Sequence, residues 1–224
     1  MFEGFSEQTV DFIWGIRLNN NKPWFEAHKQ EYRQYLAAPM NELGRQVHAA
    51  FSKEYPGFDL ILHVARIYRD ARRLFGNGPY KDHLWFTLQR PDDEWTDKPA
   101  FWFELGPDVW TYGLGYYMAR PQTMAKHRAR IDADPRPLAK LQRALEGQSE
   151  FSLEGESYKK PKGDPGGALA GWYNLRNFSI VHEEKLSPAI ASPALAERIL
   201  DGFRFLAPFY AYFGTLDSDP DPKK

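Results

Sequence analysis

The 224-residue sequence contains no cysteine. Disulfides, thiolate metal sites, iron–sulfur clusters and a cysteine nucleophile are therefore excluded, and a reducing compartment fits. It also lacks any run of about 18 apolar residues, so no membrane-crossing helix is expected. Met1–Val10 is acidic and has no apolar centre, which argues against a secretion signal; the expected location is the cytoplasm. Charge of one sign is missing too. Twenty-nine basic residues face 30 acidic ones, for a net charge of −1, so the basic footprint of a nucleic-acid binder is absent overall. No glycine-rich loop ending in Gly-Lys-Ser/Thr occurs, nor His-Glu-x-x-His, nor Gly-x-Ser-x-Gly. The six histidines (His28, His48, His63, His83, His127 and His182) have no metal-ligand spacing, and no metal or cofactor is expected.

What is abundant is apolar and aromatic. Hydrophobic residues make up 42% of the chain and aromatics 16%, enough for a core and for rings that must be buried or line a site. Ser6, with Thr9 three residues on, opens a helix carrying Val10, Ile13 and Ile16, and Asn19–Asn21 ends it. A second stripe runs through Phe25, Tyr32, Leu36, Met40, Leu43, Val47 and Phe51, and Pro39 should kink or split it. Residues 59–69, 83–90, 100–105, 109–118, 151–158 and 172–182 are rich in strand formers and separated by turns. The acidic link Pro91–Pro99 reads as a solvated loop, and Lys159–Gly171 as a flexible basic one. Helix returns at 121–133, at 137–146 and at 193–213, the last bent at Pro208. Helices, then strands, then helices predict an α+β fold: a central, mostly antiparallel sheet of about five strands flanked by N-terminal and C-terminal helices. One domain over residues 1–216 and a polar, disordered tail over 217–224 complete the expectation.

The most unusual segment is Tyr68–Lys81, which gathers Arg69, Arg72, Arg73 and Lys81 around Asp70, with Gly76, Gly78 and Pro79 turning the loop. Arginines held at a strand end, one oriented by a partly buried Asp70, suit a carboxylate or phosphate. In this reading Arg69, Arg72 and Lys81 hold the anion, Tyr80 hydrogen-bonds to it, and Asn20 and Trp24 complete the cavity. The competing reading is an internal salt-bridge network, with Glu26, Glu31 or Glu104 completing the neutralisation. Lys159–Gly163 is a further candidate, because a lysine-and-glycine loop can close over an anion, although solvated charge runs are more common. The function expected is binding or acting on a small anionic ligand, without a membrane or nucleic-acid partner. A non-catalytic interaction module is the alternative, with Trp85, Trp102, Trp110, Tyr112 and Tyr116 presenting an aromatic sheet face to a protein or nucleic-acid partner.

Several of these segments together resemble a family. Asn20, Lys22, Trp24 and Phe25 match an Asn…Trp-Phe segment; Arg69, Asp70 and Arg72 match Arg-Asp-x-Arg; Pro79, Tyr80 and Lys81 match Pro-Tyr-Lys. Gly113–Pro121, Arg128 with Ile131, Pro161–Gly163 and Trp172–Val181 continue the pattern. With these features the chain resembles the DUF2461 family of bacterial and fungal proteins over about Phe5 to Phe213. The resemblance supports the expected fold and location, and it brings no activity with it.

Overall fold

The computed structural model describes residues 1–70, 72, 74, 77–91 and 94–222. Three N-terminal helices, α1 (Glu7–Leu18), α2 (Lys22–Glu31) and α3 (Ala38–Glu54), precede strands β1 (Ile61–Val64), β2 (Leu84–Gln89), β3 (Pro99–Leu105) and β4 (Val109–Tyr116). Helices α4 (Pro121–Ala133) and α5 (Arg136–Glu146) follow, then β5 (Ser152–Ser157), a one-turn helix α6 (Ala170–Tyr173), β6 (Leu175–Lys185) and the closing helix α7 (Leu195–Phe213). The strands form one antiparallel sheet in the order β1-β2-β3-β4-β6-β5. The fold is α+β as expected, with six strands where the sequence suggested about five. Both edge strands fall inside segments that the sequence marks as strand-forming, so all six of those segments enter the sheet. β1 is only four residues long, and β5 (Ser-Leu-Glu-Gly-Glu-Ser) is exposed along almost its whole length. Short or polar edge strands protect a sheet from pairing with other chains.

The chain packs as two compact units, neither of them continuous in sequence. One comprises Met1–Leu88, Trp102–Tyr112 and Glu183–Gly202; the other comprises Gln89–Phe101, Gly113–His182 and Phe203–Lys224.

In the first unit, the sequence of α1–α3 explains its own irregularity. Pro39 has no N–H to give the Tyr35 carbonyl four residues earlier. The backbone widens into a π-helical stretch over Tyr32–Ala37, and α3 starts beyond it. The hydroxyl of the fully buried Thr9 donates to that Tyr35 carbonyl at 2.5 Å, while the same oxygen accepts the Ser6 N–H at 3.1 Å. Thr9 thus serves both the start of α1 and the break before α3. Gly44 lets α3 approach the sheet, since a Cβ there would lie 2.9 Å from Leu62 and 3.3 Å from Phe86. Phe12, Ile16, Phe25, Met40, Leu43, Val47 and Phe51 fill the buried face. Near the N-terminus, Gly4 sits at φ +108 against the Ala191 backbone, where any side chain would collide, and the Phe5 N–H donates to the Ile190 carbonyl at 2.9 Å.

The second unit contains α4 and the part of α7 from Phe203 on. Asp97, in the link read as a solvated loop, instead accepts the Arg120 N–H at 2.6 Å and the Thr123 hydroxyl at 2.8 Å. It therefore caps α4 from a distant part of the chain. The expected disorder of the tail is also corrected over residues 217–222, while Lys223 and Lys224 lie outside the described residues. Asp217 pairs with Lys98 at 2.8 Å, Asp219 with Arg130 at 2.6 Å, and Asp221 with Lys126 at 3.4 Å. His127 lies fully buried among Trp172, Phe178, Tyr212 and Phe213. Among the described residues, no helix is long and apolar enough to cross a membrane.

Candidate functional site

The Tyr68–Lys81 segment folds back on itself. Tyr68 and Tyr80 form an antiparallel bridge, the Arg69 N–H donates to the Pro79 carbonyl at 2.8 Å, and the Lys81 N–H donates to the Ile67 carbonyl at 2.8 Å. Arg73 and Gly76 lie outside the described residues. Around this turn the side chains largely satisfy one another. Arg69 donates from Nε to the Tyr80 carbonyl at 2.7 Å and pairs with Asp82 at 3.4 Å. Asn20 brackets the same residue, giving its amide to the Tyr80 carbonyl at 2.9 Å and accepting the Tyr80 N–H at 3.0 Å. Gly78 makes room for that bracket, since a Cβ would fall 2.2 Å from the Asn20 Oδ1. The Tyr80 ring is buried, stacked 4.2 Å from Phe25.

The remaining sequence candidates point elsewhere. Lys81 donates to the Arg66 carbonyl and lies 4.4 Å from the centre of the Trp85 ring. Burial lowers its pKa, and the nearby Arg69 and Arg66 lower it further. Asp70 takes Arg72 in a bidentate pair at 3.0 and 2.8 Å, but the Arg72 side chain is 88% exposed, so the pair sits at the surface and not beneath it. Trp24 stacks on His28 at 4.0 Å and lies over Gly15. Arg69, Asn20 and Tyr80 therefore come together, while Arg72, Lys81 and Trp24 turn away from them. The sequence reading missed Asp82, which also accepts from His83 at 3.1 Å and lies 3.8 Å from Arg17. Its position next to Lys81 was the only local signal; Arg17 arrives from the end of α1. Beside them Glu104 has its pKa raised by burial, an effect that His83 and Lys81 oppose.

The aromatic sheet face proved mostly internal. Trp110, Tyr112 and Tyr116 are buried, and only Trp85 and Trp102 are partly exposed.

The second unit holds a different arrangement. A cavity of about 750 Å³ is lined by Lys159, Lys160, Lys162, Arg120, Arg176 and Tyr158, together with Thr96, Met118 and their neighbours. The basic loop read as flexible is held in place here. The Asn174 side chain accepts the Lys162 N–H at 2.7 Å and donates to the Gly163 carbonyl at 2.9 Å, and the Tyr158 N–H donates to the Asn174 carbonyl at 2.9 Å. Two cations flank the Tyr158 ring, Lys162 at 4.9 Å and Arg128 at 5.3 Å. Arg120 is neutralised by Glu94 at 2.7 Å, and Arg176 lies 3.4 Å from Glu156. Among the described residues, no carboxylate pairs with Lys159, Lys160, Lys162 or Arg128, and Nη1 of Arg128 is buried without a hydrogen-bond partner. Chemically this is a concave, cationic surface with an aromatic wall, suited to a ligand that brings negative charge. Among the described residues, no group of three or more His, Asp or Glu side chains is placed to hold a metal ion.

An α+β protein with a cationic cavity is thus the class that fold and geometry define. The chain belongs to the DUF2461 family, described as conserved hypothetical protein, whose family model matches residues 8–212, nearly the whole chain. No curated protein matches it.

Proposed function

We propose that the chain binds a small anionic ligand, a phosphate or carboxylate, in the cavity formed by the Lys159–Gly163 loop. The observation that carries the reading is the set of three lysines on one cavity wall with no carboxylate partner. Like charges gathered around one cavity repel one another. An anion entering the cavity offsets that repulsion, and Asn174 has already restricted the loop that presents the lysines.

The Arg69–Lys81 strand end supports a second reading, because burial lowers the pKa of Lys81 and the neighbouring Arg69 and Arg66 lower it further, with Glu104 opposing them. Arg69, Asp70, Arg72, Tyr80, Lys81, Asn20 and Trp24 are the residues of that reading.

Isothermal titration with pyrophosphate and with citrate, at low and at moderate salt, separates the two. The expected result is binding that weakens as salt rises and disappears when Lys159, Lys160 and Lys162 are all changed to Gln. If binding survives that triple change and is lost in an Arg69→Gln, Lys81→Gln double variant, the strand end is the site. If neither anion releases heat with the parent protein, the anion reading is wrong at both places.

A further inference from the structure

The lysine cavity does not stand alone. A second cavity of about 370 Å³ shares Met118, Ala119 and Arg176 with it, so the two form one trough. The junction is built by an irregularity in the β5–β6 pairing. Glu156 faces Asn177 and Ser157 faces Leu175, which leaves Arg176 as an extra residue on β6. A bulge of this kind re-aims a side chain out of the regular alternation. Here it places Arg176 against both cavities.

The two ends of the trough differ in chemistry. Lys159, Lys160 and Lys162 line one end, whereas Glu154 and Glu156 line the other. A bare phosphate uses only the first end, and a ligand anionic at both ends is repelled from the second. Met118, 57% exposed, lines both cavities, and Tyr117, 60% exposed, lines the one with the glutamates. They are the large apolar side chains that the second unit leaves most open to solvent among its described residues. Tyr117 is braced by the Trp95 ring at 5.5 Å. The trough therefore brings together cations, exposed apolar and aromatic side chains, and hydrogen-bond acceptors.

From this combination we infer that the ligand is a nucleoside phosphate, a deeper statement of the anion site that rests on the reading above. The phosphates lie with the lysines and Arg176. The base lies on Tyr117 and Met118. The sugar hydroxyls or an exocyclic amine donate to Glu154, while Glu156 stays paired with Arg176 at 3.4 Å. Sequence selectivity of the kind that reads a polymer is not needed, because a single base can stack on an aromatic ring whatever its identity.

The test compares ADP with pyrophosphate by isothermal titration, using the full chain and a Tyr117→Ala variant. Stacking of one base is worth about 1–3 kcal/mol, so ADP should bind about 5- to 150-fold more tightly than pyrophosphate. In the Tyr117→Ala variant that advantage should vanish while pyrophosphate affinity stays unchanged, which also shows that the variant is folded. If pyrophosphate binds and ADP binds no tighter, the nucleoside inference is overturned and the anion site stands. It is overturned equally if the ADP advantage persists without the Tyr117 ring. If neither ligand binds the parent, the anion reading fails and this inference fails with it.

Discussion

Thr9 shows how much one buried hydroxyl can coordinate. Its oxygen accepts from the start of α1, and its proton goes to the carbonyl that Pro39 leaves without an N–H four residues on. A Thr9→Val change keeps the shape of the side chain and removes both interactions. Loss of a buried partner costs about 1–3 kcal/mol. Urea unfolding of Thr9→Val should therefore show a lower midpoint with an unchanged slope, and an unchanged midpoint would mean that water or the widened backbone replaces the hydroxyl. Asp70 is the contrasting residue. The sequence suggested that it orients a partly buried arginine; Arg72, one of its partners, is open to solvent, where ion pairs add little. The sequence shows that Asp70 has arginine neighbours. It does not show which of them faces water, because exposure depends on a turn whose direction is set by Asn20, about 60 residues away.

At the level of elements, the sequence signals that succeeded were local ones. The Ser6–Thr9 start, the break near Pro39 and the strand character of residues 84–89, 99–105 and 109–116 all come from neighbouring residues. The signals that failed depend on distant partners. Residues 91–99 look like an acidic loop, yet Asp97 caps α4. The last residues look disordered, yet three aspartates are tied to Lys98, Arg130 and Lys126. The lysine loop was visible as a candidate, but its lack of acidic partners and the cavity behind it were not, since both need β6 and Asn174 in place. Asp97 allows a direct test. An Asp97→Ala change leaves the first turn of α4 without its remote acceptor and should cost about 1–2 kcal/mol. Hydrogen exchange should show the loss concentrated in the amides of residues 120–124, and uniform loss along α4 would mean that Asp97 acts through general packing.

At the scale of the whole molecule, His127 ties stability to pH. Burial, with Arg128 and Arg130 near by, lowers its pKa to about 3, although a contact with the Trp172 backbone opposes the shift. The unfolded chain takes up the proton near pH 6.5, and the folded chain does not until about pH 3. The unfolded state thus binds more protons in that window, and stability falls as pH drops from 6.5 towards 3, by up to about 5 kcal/mol from this group. A His127→Leu variant should lose this part of the pH dependence, as chemical denaturation at pH 7, 5.5 and 4 would reveal; an identical slope in parent and variant would place the titration elsewhere. The interleaving of the two units has a different kind of consequence, one of timing. The unit begun by Met1–Leu88 also needs Glu183–Gly202, and the Gly4–Phe5 segment lies against Ile190 and Ala191. During synthesis at about 5–20 residues per second, the first helices emerge on the order of ten seconds before the segment that closes over them. For that interval Phe2, Phe5 and Phe12, all buried in the finished protein, have only part of their eventual surroundings. A nascent chain stalled before residue 183 should accordingly be captured by chaperones that recognise exposed apolar segments, and one extended past residue 202 should escape them.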